Sequence, residues 1–256
     1  MAAAAVSIAS PAADGGTPAD VAVSRAPFAV VELFTSEGCS SCPAADALLG
    51  EIVSRARRDG RRVFGLAFHV DYWNGLGWRD PFSDASYTHR QSEYGRMLGL
   101  RSIYTPQMIV NGSREFVGSD GARARASIQE ALGRPARAAV RIATNWVGER
   151  KLMVRFEVLW VGGVRADSAA AYAAAVQDGV VSHVIRGENH GRTLHHESVV
   201  RAFQSVPLDA NGRGEVQLEI PGSVALDRAS LIAFVQDQRR LEILGATQKE
   251  LTDTPR

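Results

Sequence analysis

The sequence predicts an α/β fold in which a strand–helix–strand unit is followed by a β-rich second half. Two short apolar runs, at residues 28–34 and 63–70, enclose a segment in which apolar residues recur at helical spacing. Beyond Pro135 the pattern changes to segments that alternate apolar and polar residues and are separated by turn residues. Helical spacing between two apolar runs is typical of a βαβ unit, and alternation is typical of antiparallel strands.

Composition excludes several classes of function. The chain has 256 residues, of which 45% are hydrophobic and 22% charged, and its formal net charge is +1. This is the composition of a globular protein long enough to bury a core. The small charge, and the lack of a Lys/Arg cluster interleaved with aromatic residues, argue against a nucleic-acid partner. No apolar run approaches the roughly 20 residues of a membrane-spanning helix, so no integral membrane segment is predicted.

Residues 1–25 are set apart from the fold as a signal-like or disordered segment. They are rich in alanine, and no basic residues precede the apolar stretch as they would in a secretory signal. The segment is therefore a signal whose start lies upstream, the remnant of a cleaved signal, or a low-complexity tail. We favour a truncated signal and expect a periplasmic or secreted protein.

The first elements in chain order form the βαβ unit. The run at 28–34 contains β-branched residues and predicts a buried strand. A helical pattern begins at Ser40, and Asp59-Gly60 ends it. The run at 63–70 predicts the second strand. Strands joined in this way lie parallel, with a right-handed crossover.

The rest of the first half is predicted as a loop, a helix, a hairpin and a closing helix. Residues 71–82 are rich in Trp, Gly, Asn and Asp, which favours a loop, and 83–98 follow with a helical pattern. Asn111-Gly112 between two apolar segments is a strong hairpin signal. The closing helix is predicted over 119–132.

Six alternating segments predict the strands of the second half. They lie at 139–146, 151–160, 169–176, 180–185, 214–220 and 231–236. Because the pattern changes near residue 136, we divide the chain into a domain at 26–135 and a β-rich domain at 136–256. The second domain is expected to be an antiparallel sheet or sandwich.

Cys39 and Cys42 are the only cysteines of the chain, in the run Cys-Ser-Ser-Cys-Pro. A disulfide-stapled domain would have more cysteines and a structural zinc site needs four ligands, so the pair is predicted to be reactive. The pair lies where a helix begins, and the free N–H groups and dipole of a helix start favour a thiolate. Cys39 is therefore expected to be the nucleophile and Cys42 the resolving thiol of a thioredoxin-type dithiol site.

Several blocks of the sequence resemble a bacterial family of secreted thioredoxin-like proteins that is catalogued as a domain of unknown function. The blocks are FTSEGCSSCPAAD at 34–46, HVDYW at 69–73, YTPQ at 104–107, and the segments 187–200 and 235–237. The resemblance spans most of the chain after residue 27. It implies a thioredoxin-like fold for 26–135 and leaves the substrate open.

The resemblance also implies roles for residues outside the dithiol. Tyr104, Thr105 and Pro106 match the position of a cis-proline beside the dithiol, where Tyr104 and the Thr105 backbone would meet a substrate strand. A trans-proline at a strand edge is the alternative. Glu32 is the nearest match to a buried acid that accepts the proton of the resolving thiol. It stands seven residues before the first cysteine, where relatives usually have six, so either the turn absorbs the extra residue or Glu32 points elsewhere.

His69 and Asp71 lie at the end of the second predicted strand. The carboxyl ends of parallel strands face the site crevice, so these residues and Trp73 are expected to shape a substrate groove. A structural histidine with loop-anchoring aromatic residues is the alternative.

Asp46 and three histidines are given structural interpretations. Asp46, four residues past Cys42 on the same helix face, is interpreted as a carboxylate on the helix surface, and electrostatic tuning of the thiol is the alternative. His195 and His196 are adjacent, so they would point to opposite faces of a strand, and with His190 they are expected to face solvent rather than to bind a metal.

Taken together, these features predict a thiol–disulfide oxidoreductase that acts on exported proteins. Its active group would be the redox-active Cys39–Cys42 disulfide with no bound cofactor, and its partner a protein thiol or disulfide. The oligomeric state stays open. One alternative is a protein that binds Cu(I) or another soft metal through the two thiolates, together with His69. Another is a scaffold with a vestigial dithiol, in which the β-rich half binds a partner.

Overall fold

A computed structural model describes residues 25–161 and 168–251 of the chain. It confirms the predicted α/β class, with a large mixed sheet and three helices in these residues. The signal-like segment predicted at 1–25 lies outside the described residues except for Arg25. None of the described helices combines the length and the apolar character needed to cross a membrane.

The elements are named here in chain order. The helices are α1 (Cys42–Arg58), α2 (Ala85–Met97) and α3 (Gly121–Leu132). The strands are β1 (Ala29–Thr35), β2 (Val63–His69), β3 (Gln107–Val110), β4 (Arg114–Val117), β5 (Ala138–Gly148), β6 (Lys151–Trp160), β7 (Ala169–Gln177), β8 (Val180–His183), β9 (Thr193–His196), β10 (Val199–Pro207), β11 (Arg213–Glu219), β12 (Ala229–Asp237) and β13 (Ile243–Glu250).

The first half contains the predicted βαβ unit and hairpin. β1 and β2 pair in parallel, from Ala29 opposite Val63 to the last residue of each strand, and α1 connects them. β3 and β4 pair antiparallel through Asn111 and Gly112, which have φ values of 47° and 69°. Three residues connect the two strands, and the Ser113 amide donates to the Val110 carbonyl, so Asn111 and Gly112 are the central residues of a tight turn whose positive φ values suit Asn-Gly.

Alternation along β1 gives the sheet two different faces. Val31 and Leu33 pack in one core with residues of α1 and α3. Val30 and Phe34 point to the other face, where α2 contributes Tyr94 to a second core. Side chains of neighbouring residues in a strand point to opposite faces, so each residue of β1 belongs to one core only.

The large sheet continues across residue 136, where the sequence predicts a domain boundary. Its strand order is β13-β12-β7-β10-β2-β1-β3-β4, and β10 joins β2 in parallel where Val199 lies opposite Ala67. The strands β7, β10, β12 and β13 pair antiparallel with their neighbours in the second half. A three-stranded sheet, β11-β6-β5, shares a third core with β7 and β12. Strands from both halves therefore form one sheet, and the division into two domains stays a prediction.

Candidate functional site

Cys39 and Cys42 form a disulfide at the start of α1, with their Cα atoms 5.5 Å apart. The chain leaves β1 at Thr35, turns, and begins α1 with Pro43 in its first turn, where a missing N–H does no harm. The hydroxyl of Ser41 lies 3.3 Å from Cys39 Sγ. Both cysteines are buried, Cys39 being 1% exposed and Cys42 fully covered.

Hydrogen bonds from several segments fix the turn that precedes the disulfide. The Glu37 amide donates to Asp80 Oδ2 at 2.8 Å, and the Gly38 amide donates to Ser36 Oγ at 3.1 Å. Gly38 also lies against Trp73, since a Cβ placed at Gly38 would be 3.1 Å from Trp73 Cβ. Contacts within the turn and contacts with the loop that follows β2 therefore hold the turn in place.

A loop of the second half closes over the same turn. Asn189 is fully buried, and its Nδ2 donates to the carbonyl oxygens of Glu37 at 2.8 Å and Cys39 at 2.9 Å. The Ser40 amide donates to Glu188 Oε2 at 2.9 Å. Sequence reasoning assigned no role to Glu188 or Asn189. The signal that could have found them is the 187–200 block of the family resemblance.

A cluster of buried ionisable side chains lies beneath the dithiol turn. His69 Nδ1 lies 2.7 Å from Asp80 Oδ2, and His196 Nε2 lies 3.2 Å from Glu37 Oε1. His196 Nδ1 also faces Asp46 Oδ2 at 3.7 Å. The rings of His69 and His196 meet edge to face with their centroids 5.0 Å apart. We call these five residues the acid–imidazole cluster.

The side chains of the acid–imidazole cluster differ in their charge states. Burial raises the pKa of Asp46, and the nearby His196 and His69 only partly offset that effect. Burial alone would lower the pKa of His69, but Asp80, Asp46 and Glu37 together outweigh burial and the pKa is raised. Burial would likewise raise the pKa of Asp80, yet His69 and backbone amides hold it below its ordinary value. His69 and Asp80 thus form an ion pair, whereas Asp46 is biased toward its neutral form.

Unpartnered polar atoms concentrate in and around this cluster. In the described part of the chain, five buried side-chain N or O atoms have no hydrogen-bond partner. Four of them are Thr35 Oγ1, Asp46 Oδ1, His69 Nε2 and His196 Nδ1. Such atoms are costly in a folded protein and are uncommon outside functional or hydrated sites. Their concentration near the disulfide marks this as a polar site within an apolar core.

Two interpretations of single residues are wrong. Asp46 is 6% exposed and does not lie on the helix surface, because it is on the face of α1 that packs onto the protein. His196 is 2% exposed and does not face solvent, because β9 alternates and turns its even-numbered side chains inward. His195, one residue earlier, is exposed as expected.

Glu32 lies on the opposite face of the sheet from α1. Its carboxylate accepts hydrogen bonds from Arg90 Nε at 2.6 Å and from the Tyr94 hydroxyl at 2.5 Å, both on α2. The seven-residue spacing to Cys39, instead of six, places Glu32 on the other side of β1. Its contacts therefore do not support the predicted role as proton acceptor for Cys42.

Of the remaining predicted residues, Trp73 and Thr105 are joined near the dithiol turn, whereas Tyr104 and Asp71 bond to other elements. Trp73 Nε1 donates to Thr105 Oγ1 at 2.8 Å, so Trp73 connects the dithiol turn to the Thr105–Pro106 segment, whose peptide bond is cis. The Tyr104 hydroxyl instead bonds Glu115 on β4. Asp71 bonds the hydroxyl of Thr88 on α2 at 2.5 Å and so anchors a loop.

Pro106 lies close to the first turn of α1. A Cβ placed at Gly118 would be 3.0 Å from Pro106 Cβ and 3.1 Å from Ala45 Cβ. Ala45 is three residues after Cys42, so the proline and the dithiol helix share this neighbour.

Two exposed apolar residues lie on the two loops that border the dithiol turn. Leu76 is 62% exposed and Ile185 is 65% exposed. Between them, Gly77 and Gly187 approach closely, since a Cβ at Gly77 would be 3.4 Å from the Cα of Gly187. Within residues 25–161 and 168–251, no group of three or more His, Cys, Asp and Glu side chains is arranged to hold a metal ion.

Comparisons with known proteins give a family and a fold. A family model described as a protein of unknown function, DUF1223, matches residues 30–236. The crystal structure of protein AGR_C_4864 from Agrobacterium tumefaciens is 27% identical, with a TM-score of 0.63 over 90% of this chain and 97% of that one. HBP35 of Porphyromonas gingivalis is 17% identical, with a TM-score of 0.65 over 91% of this chain and 79% of that one, a likeness of fold alone. No curated protein matches the chain.

Proposed function

The chain belongs to the DUF1223 family of proteins of unknown function, and on this premise we propose that it is a thioredoxin-like thiol–disulfide oxidoreductase. The observation that carries the proposal is the Cys39–Cys42 disulfide at a helix start, flanked in sequence by Glu37 and Asp46 of the acid–imidazole cluster. The expected substrates are exported proteins, in keeping with the periplasmic or secreted location that the sequence predicts.

The arrangement of the first half supports the thioredoxin-like part of the proposal. Its strands follow the order β2-β1-β3-β4, with β1 and β2 parallel and β3 and β4 an antiparallel hairpin. α1 and α3 pack on one face of these strands, and α2 packs on the other. The disulfide follows the carboxyl end of β1, where sites of open α/β sheets are found.

The reaction exchanges one disulfide for another. A substrate thiolate attacks Cys39 Sγ, the Cys39–Cys42 bond breaks, and its electron pair leaves on Cys42. A second substrate thiolate then attacks the substrate sulfur of the mixed disulfide and releases Cys39 as a thiolate. Two electrons pass to the protein, the substrate dithiol becomes a disulfide, and the reverse sequence reduces a substrate disulfide.

The cluster gives the leaving Cys42 sulfur a proton source. Asp46 follows Cys42 by one helical turn, so the two side chains share a face of α1. Because burial raises the pKa of Asp46, its carboxyl can hold a proton to give to a neighbouring sulfur and later take it back. His196 and Glu37 extend the chain of acceptors below it. In this proposal Asp46 takes the role that sequence reasoning gave to Glu32.

The surface around the site suits a polypeptide substrate. Trp73, which packs against Gly38 of the dithiol turn, donates to the Thr105 hydroxyl and so holds the Thr105–Pro106 segment near that turn. Leu76 and Ile185 offer exposed apolar contacts on the loops that border that turn. Because Cys39 is almost fully covered, a protein substrate must part these loops to reach the sulfur.

The proposal is tested by exchange assays in both directions. The purified protein is assayed for reduction of insulin and for oxidation of a reduced two-cysteine peptide, alongside Cys39→Ser and Cys42→Ser. We expect activity in at least one direction, loss of it in both variants, and trapped mixed disulfides with Cys42→Ser but not with Cys39→Ser. A wild-type protein no more active than Cys39→Ser in either assay would refute the proposal.

A further inference from the structure

The helix that begins with Cys42 has no N-terminal cap of its own. The Ser41 side chain makes no capping hydrogen bond, and the first turn of α1 contains no acidic residue. A helix start exposes N–H groups and a partial positive charge, which a nearby anion stabilises. Here the anion comes from Glu188, 148 residues away in sequence, whose carboxylate accepts from the Ser40 amide at 2.9 Å.

The carboxylate is positioned by a built turn. Next to it, Asn189 is buried and bonds two carbonyl groups of the dithiol turn. Gly187 has φ of 76°, and a Cβ there would lie 3.0 Å from Trp78 Cβ, so only glycine fits this approach without strain. The Ser40 hydroxyl and amide hold the pKa of Glu188 below its ordinary value, so the side chain is charged at neutral pH.

We infer that Glu188 is a positioning residue that sets the redox balance of the dithiol by competing with the Cys39 thiolate for the positive end of α1. In the disulfide form Glu188 places a negative charge at the helix start. On reduction, two electrons enter the S–S bond, Cys42 takes one proton, and Cys39 becomes a second negative charge at the same place. The carboxylate therefore raises the pKa of the Cys39 thiol and favours the disulfide. This inference rests on the proposed function only in assuming that the disulfide opens reversibly.

The titratable groups of the acid–imidazole cluster are unchanged by a substitution at Glu188. They are Glu37 from the turn, Asp46 from α1, His69 from β2, Asp80 from the following loop and His196 from β9. All five are buried, whereas Glu188 is exposed. Added salt should therefore weaken the effect of Glu188 much more than that of the acid–imidazole cluster.

The test measures the pKa of the Cys39 thiol from thiolate absorbance, and the dithiol–disulfide equilibrium in glutathione buffers and in dithiothreitol buffers. Glu188→Gln removes the charge but keeps an oxygen that can accept from Ser40. Asp209→Asn is the control, because Asp209 also accepts a backbone amide, that of Asn211 at 2.8 Å, in an exposed turn before β11. Interactions of a charge with a helix end are worth about two- to fivefold in an equilibrium constant. We expect Glu188→Gln to lower the thiol pKa by about 0.3–0.7 units and to shift the equilibrium about two- to fivefold toward the dithiol, or about 9–21 mV.

Salt and the control decide the outcome. The Glu188→Gln shift should shrink in 1 M NaCl, and Asp209→Asn should show no shift. The inference would be overturned if the two variants shifted the thiol pKa and the dithiol–disulfide equilibrium equally. It would also be overturned if salt did not reduce the shifts caused by Glu188→Gln. Because glutathione or dithiothreitol is the only reaction partner, a protein inactive on insulin and on the peptide could still show the shift, which separates this inference from the proposed function. A disulfide that neither buffer opens would overturn both.

Discussion

Replacing Glu32 with alanine tests whether this buried carboxylate serves the fold or the dithiol. Its side chain is fully covered, and its partner Arg90 is 5% exposed. Arg90 lies among aromatic rings, with its guanidinium carbon 5.1–5.7 Å from the ring centres of Phe68, Tyr94, Tyr172, Phe203 and Phe234. Burial alone would lower the pKa of Arg90, but Glu32 together with Tyr94 and Tyr172 outweighs burial and the pKa is raised, so Arg90 keeps its charge.

The expected loss follows from the charge that is left behind. Removing one partner of a buried ion pair leaves the other charge uncompensated and costs about 3–5 kcal/mol of unfolding free energy. Glu32→Ala should lose that amount, because the Arg90 guanidinium would stay among the rings. The Tyr94 hydroxyl loses an acceptor in the same variant.

An exposed pair of the same geometry is the control. Arg155 Nε lies 2.6 Å from Glu215 Oε2, the same distance as in the Arg90–Glu32 pair, but both side chains are about half exposed. Glu215→Ala should lose no more than about 1 kcal/mol. The free energy of unfolding of both variants is measured by urea titration with the disulfide intact.

The same variants decide the role of Glu32 at the dithiol. Glu32→Gln, if it folds, should leave the pKa of the Cys39 thiol unchanged, because Glu32 lies on the sheet face away from α1. A loss in Glu32→Ala no larger than in Glu215→Ala would refute the structural role. A thiol pKa in Glu32→Gln that moves as far as in Asp46→Asn would refute the separation of the two faces.

Two further changes address the dithiol turn and the cluster below it. Asp46→Asn should be more stable relative to wild type at pH 7 than at pH 4. A carboxyl whose folded pKa is raised stabilises the protein below its ordinary pKa of 3.8, and it loses that contribution as the pH rises through the folded pKa. Urea titrations at the two pH values measure this, and equal differences from wild type would contradict it. Asn189→Ala should lose about 2–4 kcal/mol, since two buried carbonyl groups lose their donor. Asn145→Ala, which removes only a surface contact with Arg155, should change the unfolding free energy by less than about 0.5 kcal/mol, and a similar loss in both would contradict the role of Asn189.

Sequence patterns alone were sufficient for the local elements of the first half. The apolar runs around a helical segment predicted β1, α1 and β2, and Asn111-Gly112 predicted the hairpin of β3 and β4. These features depend on backbone geometry over a few residues, which fixes the periodicity of side chains and the residues that a tight turn accepts. The same local logic placed Cys39 and Cys42 at a helix start.

The placement of the second half was decided by tertiary structure. Alternation predicted six strands after residue 136 but missed β9, β10 and β13, and nothing local indicated that β10 would join β2 and extend the first sheet. Strand pairing depends on which edges meet across a long stretch of chain, and such contacts leave no periodic trace in the sequence.

By itself, the sequence therefore determined that the chain carries a dithiol at the start of a helix, with one acid on the preceding strand and another one helical turn into the helix. Only the tertiary structure decided which acid lies near the sulfurs, because one residue of offset turns a strand side chain to the opposite face. In the structure Glu32 pairs with Arg90, whereas Asp46 faces His196. It also brought Glu188 and Asn189 from the far half of the chain onto the turn that holds Cys39.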